Sequence, residues 1–100
     1  MAEETVVYVD EDLEELIPDY MENRHSDINA IQDLLKVENY SEIQRLGHSM
    51  KGSGGGYGFD EITNIGRDLQ QAANDHDKNE ITKLVDYLSV YLSTVKIVFQ

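Results

Sequence analysis

Apolar residues recur every third or fourth position along nearly the whole chain, and the two-residue alternation of a half-buried strand is almost absent. That spacing predicts helices. Leu13, Leu16, Ile17 and Tyr20 form a first stripe, with Asp10 or Asp12 placed to cap it and Pro18 expected to kink or end a short helix. A second stripe runs through Ile28, Ile31, Leu34 and Leu35. The third helix is expected to open at Ser41, which has capping-box spacing to Gln44, and to bury Ile43, Leu46 and Met50. Asp60 can cap a fourth helix with the stripe Ile62, Ile65, Leu69 and Ala73, where Gly66 and Ala72 leave room for a close neighbour. Asp77 to Glu80 reads as an acidic cap ahead of a fifth stripe, Ile81, Leu84, Val85, Leu88, Leu92 and Val95.

The links between the main stripes are short, at about Val37–Tyr40, Gly58–Phe59 and Asn74–Asp77. Short links put sequence neighbours antiparallel, so the expected class is all-α: an antiparallel up-down four-helix bundle with a short N-terminal helix. Residues 1–9 read as an extended N-terminal segment and residues 10–100 as the bundle domain. The runs Val6–Val9 and Ile97–Phe99 are β-prone, and the expectation is that they lie as extended tails on the bundle rather than pair as a sheet.

Composition narrows the function classes. At 100 residues and 40% hydrophobic, the chain builds one core of marginal stability and leaves no room for a two-lobed enzyme. The absence of cysteine removes disulfides, thiolate metal sites and thiol nucleophiles, and fits a reducing compartment. No apolar run approaches the roughly 20 residues of a membrane span. The N-terminal residues lack the basic and long apolar regions of a signal peptide, so a cytoplasmic location is expected. Eight basic against 20 acidic residues give a net charge of -12, which argues against nucleic-acid binding. The charge is uneven: residues 1–22 hold nine acids and no Lys or Arg, leaving a net of only -3 for the rest of the chain. No second apolar stripe suggests a partner copy, and a monomer is expected.

One helix is chemically unusual. Between Gly52 and Gly58 five of seven residues are glycine, just after His48 and Lys51. Each glycine inside a helix costs roughly 1 kcal/mol relative to alanine, so several together indicate a turn, close packing or a surface that must stay uncovered. At 100° per residue Ile43, Leu46, Met50, Gly54 and Tyr57 share the core side, and His48 falls about 160° from its centre. The imidazole should face solvent beside Ser41, Gln44, Lys51, Gly52 and Gly55, with Arg45 to one side. A solvated imidazole is largely neutral, hence nucleophilic, near neutral pH. The small neighbours let a partner approach the ring, and the lysine can neutralise an anion placed on its nitrogen.

His48-Ser49-Met50-Lys51-Gly52, followed by five residues and Gly58, resembles the H-x-x-K-G-x5-G signature of histidine-containing phosphotransfer (HPt) domains. The resemblance covers the motif helix closely and, through helix number and length, about residues 10–98. It implies a phosphorelay carrier in which His48 accepts a phosphoryl group, through Nε2, from a receiver-domain phospho-aspartate and passes it to another receiver aspartate. Lys51 would stabilise the phosphoryl group and Gly52 would leave room for the receiver, while Gln44, Arg45 and Gly55 complete the expected binding surface. Gly58 would help end the helix. Met50 stands where leucine is frequent in the family, and Gly54-Gly55-Gly56 is rich in glycine even for it. The implied partners are a response-regulator receiver domain or the receiver of a hybrid histidine kinase. No intrinsic cofactor is implied, since the receiver supplies Mg²⁺, and the domain would be a phosphotransfer intermediate rather than an autonomous enzyme.

Rival motifs fail on their own terms. The glycines do not complete G-x-G-x-x-G, and Lys51-Gly52-Ser53 does not close a P-loop. Glu22-x-x-His25 occurs once, whereas a di-iron bundle needs it on two helices. Asp75-x-Asp77-x-Asn79 lacks the glycine that a calcium loop needs at position six, which is Glu80 here. The alternative to a carrier is a non-enzymatic helical adaptor, or an engineered scaffold of this kind that no longer transfers phosphate.

Overall fold

The computed structural model describes residues 5–100. Four α-helices form the body: α1 (Ile17–Lys36), α2 (Tyr40–Gly54), α3 (Asp60–Asn74) and α4 (Lys78–Thr94). Two short strands, β1 (Val6–Val9) and β2 (Lys96–Phe99), flank them in sequence. Each helix packs against its sequence neighbour, and α1 also packs on α4, closing a ring around one core. Ile31, Ile43, Met50, Phe59, Ile62, Leu69, Ile81 and Leu88 are fully buried there. Among the described residues no helix is long and apolar enough to cross a membrane.

The N-terminal third differs from the sequence expectation. The first two apolar stripes are not two helices, because α1 runs unbroken for 20 residues with Pro18 in its first turn. At that position the missing N–H has no helical partner to lose and the fixed φ suits the helix, so proline starts it instead of ending it. A short strand therefore stands at the N-terminus in place of a short α-helix, followed by a 3-10 segment, Glu11–Leu16, capped by the Asp10 side chain.

The β-prone ends also depart from expectation. β1 and β2 pair in parallel, from Val6 opposite Lys96 to Val9 opposite Phe99. Backbone bonds from Lys96 N to the Thr5 carbonyl (2.8 Å) and from Gln100 N to the Val9 carbonyl (3.0 Å) extend the ladder. The pairing joins residues 90 apart, which the closed bundle brings side by side and which no local pattern announces. β1 then crosses the turn after α2, where Gly58 takes φ 94 and a Cβ would lie 3.1 Å from the Tyr8 carbonyl.

Capping was partly legible. Asp77 caps α4 by accepting from Glu80 N at 3.1 Å, as its spacing predicts. α2 begins earlier than Ser41: Asn39 is the cap and accepts from Glu42 N (3.3 Å), while the Ser41 hydroxyl donates to Asn39 Oδ1 (3.1 Å). Tyr40 accordingly falls inside the helix, stacked on His76 with ring centroids 4.3 Å apart. Asp60 opens α3, but Phe59 occupies the cap position and no side chain caps it.

The tightest contact in the fold joins α2 to α3. A Cβ on Gly66 would overlap Lys51 N and would lie 2.6 Å from the Gly47 carbonyl and 2.8 Å from Met50 Cβ. One on Gly47 would lie 2.8 Å from both Gln70 N and the Gly66 carbonyl, and one on Gly54 would lie 2.6 Å from Thr63 N. Backbone meets backbone, so a side chain at any of the three must push the helices apart. Gly66→Ala should destabilise the domain by about 2–3 kcal/mol despite the better helix propensity of alanine. Urea denaturation checks this, and a variant as stable as the wild type would contradict the contact.

Candidate functional site

α2 turns Ile43, Gly47, Met50 and Gly54 inward. His48, Lys51, Gly52 and Gly55 are all exposed and stand at i, i+3, i+4 and i+7, so they share one outward face. The small residues on that face are small for no reason of internal packing. A Cβ at Gly52 or Gly56 would meet no atom within 4 Å, and one at Gly55 would meet only Thr63 Oγ1 at 3.5 Å and Asp60 Oδ1 at 3.6 Å. The glycines therefore divide into those that α3 requires and those that leave the surface around His48 bare.

Beside this face lies a groove of about 430 Å³ between α2 and α3, lined by Gln44 and Lys51 from one helix and Arg67, Asp68, Gln70 and Gln71 from the other. Gln44 and Lys51 stand one turn before and one turn after His48, so the imidazole sits at the groove's edge. Its cations are not equivalent. Lys51 forms no ion pair among the described residues. Arg67 donates to Asn64 Oδ1 (3.3 Å) and lies 3.5 Å from the Asp68 carboxylate.

Arg45 is not among the groove-lining residues and is bound to Glu42, with Nη2 2.9 Å from Oε2. The hydrogen bond from Arg45 holds the Glu42 carboxyl below its ordinary value, and the same bond raises the guanidinium. Of the expected site residues, Gln44, Lys51, Gly52 and Gly55 are thus brought together around His48. Arg45 is committed elsewhere.

On the other flank of α2 a polar network ties it to α1. Arg24 is buried on the α1 stripe between Tyr20 and Ile28. Its Nε donates to Asp27 Oδ2 at 2.8 Å, its Nη1 reaches Ser53 Oγ at 3.5 Å, and its guanidinium carbon lies 4.5 Å from the Tyr20 ring centroid. Tyr20 Oη and Ser53 Oγ share a further bond of 3.0 Å. Burial pushes the Asp27 carboxyl above its ordinary value, and Arg24, with Arg45 more weakly, pulls the other way. This network was missed in the sequence, although a signal exists: Arg24 is the only Lys or Arg before Lys36 and stands in register with Ile17, Tyr20, Ile28 and Ile31.

An exposed histidine, a lysine one turn on with no ion pair among the described residues, and a bare glycine beside them thus share one face of one helix in a small four-helix domain. Residues 11–96 match the Hpt domain family model, and the chain belongs to that family. Hpt domains take part in phosphotransfer within phosphorelays, where they interact with receiver domains. Comparison with curated proteins and with solved structures found no match.

Removing Arg24 leaves the half-buried Asp27 without its partner. Arg24→Ala should cost about 3 kcal/mol at pH 7. It also removes the main pull that opposes burial, so the folded-state pKa of Asp27 rises further above that of the unfolded chain. A carboxyl raised in this way destabilises the fold as it ionises, so the deficit grows as pH rises through the folded pKa and shrinks toward the unfolded value of about 3.9. Denaturant melts of wild type and variant at pH 5 and pH 7 read this directly; a larger deficit at pH 5 would refute it.

Proposed function

We propose that His48 is the phosphoacceptor of a phosphorelay carrier. The neutral imidazole attacks phosphorus through the Nε2 lone pair while Nδ1 keeps its proton. The acyl-phosphate P–O bond breaks and the receiver carboxylate leaves, and the reverse step loads a second receiver. Such transfer needs positioning and charge neutralisation more than covalent help from the carrier. Lys51 meets the phosphoryl oxygens, with no carboxylate paired to its ammonium group among the described residues. Gly52, with Gly55 and Gly56, gives the receiver clearance to bring its phospho-aspartate and Mg²⁺ onto the ring.

The observation that carries this reading is the empty space around Gly52 on the same face as His48 and Lys51. Inside a helix that glycine costs stability and serves no contact within the domain. The short turns between helices support an up-and-down order in which α2 presents this face along its length. We take the carrier to act as a cytoplasmic monomer, with response-regulator or hybrid-kinase receivers as partners.

Incubation with a phosphorylated receiver tests the assignment. His48→Gln should lose labelling completely while keeping its helical circular dichroism, and undiminished labelling would sink the proposal; a domain that binds receivers but is never labelled would be an adaptor instead. Lys51→Ala removes one charge-assisted hydrogen bond, about 1.5–3 kcal/mol, and should slow transfer roughly 10- to 100-fold.

Gly52→Gln separates the two costs of the bare surface. It should raise thermal stability through better helix propensity, by up to about 1 kcal/mol, and raise the KM for the receiver. Transfer kinetics and a thermal melt on the same preparation decide it; an unchanged KM would remove Gly52 from the docking surface.

A further inference from the structure

α2 ends in a run that should fray. Gly52, Gly54 and Gly55 fall within four residues at its C-terminus, and each favours the unfolded chain. Lys51 is in that last turn. In an unbroken helix the Gly55 N–H would bond to the Lys51 carbonyl, four residues back. Instead, a hydroxyl from the next helix stands between them: Gly55 N donates to Thr63 Oγ1 at 2.8 Å, and Thr63 Oγ1 donates to the Lys51 carbonyl at 3.2 Å. The other peptide group of Lys51 is fixed by the same helix, since Lys51 N lies directly against Gly66, one turn beyond Thr63. One residue of α2 is therefore held at its N–H side by the packing of α3 and at its carbonyl by a hydrogen bond from α3.

We propose that Thr63 is a positioning residue for phosphotransfer: its hydroxyl stitches the glycine-rich end of α2 and so fixes Lys51 relative to His48. The proposal rests on the reading of His48 as phosphoacceptor and Lys51 as its charge partner. A hydroxyl is suited to the task because it accepts from one backbone group and donates to another, which a methyl group of the same size cannot do. Thr63 is not among the residues that line the groove, and it touches no reacting atom. Its effect on transfer runs through Lys51, and the Lys51→Ala background separates that effect from any change at Gly55 on the docking surface.

The test is a cycle of Thr63→Val and Thr63→Ser, each with Lys51 present and in the Lys51→Ala background, with transfer from a phosphorylated receiver to His48 as the readout. Thr63→Val should slow transfer about three- to tenfold, the share of one neutral hydrogen bond, with the KM for the receiver unchanged. Thr63→Ser should restore the rate. In the Lys51→Ala background Thr63→Val should add less than about twofold, because the group it positions is gone. An additive effect in that background, a full rate for Thr63→Val, or no rescue by serine overturns the proposal. Hydrogen exchange at the Gly55 amide supplies a second measurement independent of transfer: Thr63→Val should speed it, and unchanged protection would equally overturn the stitch. If valine melts the fold, Thr63→Ala replaces it in the cycle with the same expectations. Failure of the underlying reading shows separately, as a wild-type domain that no receiver labels at His48.

Discussion

α2 and α3 touch through their backbones, and most of what is distinctive about this domain follows from that contact. Gly47 and Gly66 each occupy the place where the other helix's peptide groups pass, so neither can carry a side chain. Because the contact involves main-chain atoms, it sets the rotation of α2 about its axis more firmly than interdigitating side chains would. With Gly47, Met50 and Gly54 directed inward, His48 and Lys51 have only solvent to face. The groove beside them is a product of the same approach, being the outer margin of two helices that meet closely at their centre lines.

The glycines of α2 consequently serve opposite ends. Those at 47 and 54 are needed by α3, while a Cβ at Gly52, or at Gly56 just after the helix, would meet nothing within 4 Å, and Gly58 in the following turn adopts a backbone conformation that side chains resist. A helix built this way loses intrinsic stability, roughly 1 kcal/mol for each interior glycine. The deficit is offset from outside the helix. Arg24, Tyr20 and Ser53 join it to α1, Thr63 closes its last turn, and β1 crosses the turn that follows. The terminal strands, remote from His48 in sequence, thereby belong to the support of its helix.

Electrostatics at the site are narrower than the local sequence suggests. Arg45 and Lys51 both flank His48 within one turn, yet Arg45 is engaged by Glu42 and Arg67 has Asp68 close by. Of these three cations Lys51 alone forms no ion pair among the described residues, so on the proposed reading the charge offered to a phosphoryl group is centred on one ammonium. The seven acids of the described residues 5–22 all lie outside the groove lining.

Helical class, the inward stripe of each helix, the exposure of His48 and the motif that ties the chain to its family were all present in residue spacing, because a helix repeats every 3.6 residues and its faces can be counted. Gly66 was visible as a point of close approach for the same reason. Other features depended on partners distant in the chain. Pro18 was expected to kink or end a short helix, yet it stands in the first turn of α1, whose Ile17 and Tyr20 pack into a core built by later residues. Whether Val6–Val9 paired with anything depended on where the bundle delivered residue 96. Arg24 became a buried tie, and Thr63 a stitch in another helix, only once α1 and α3 had closed on α2. Local periodicity fixes which way a side chain points from its own helix; what it meets there is decided by packing between segments, and that is where the tertiary structure had the last word.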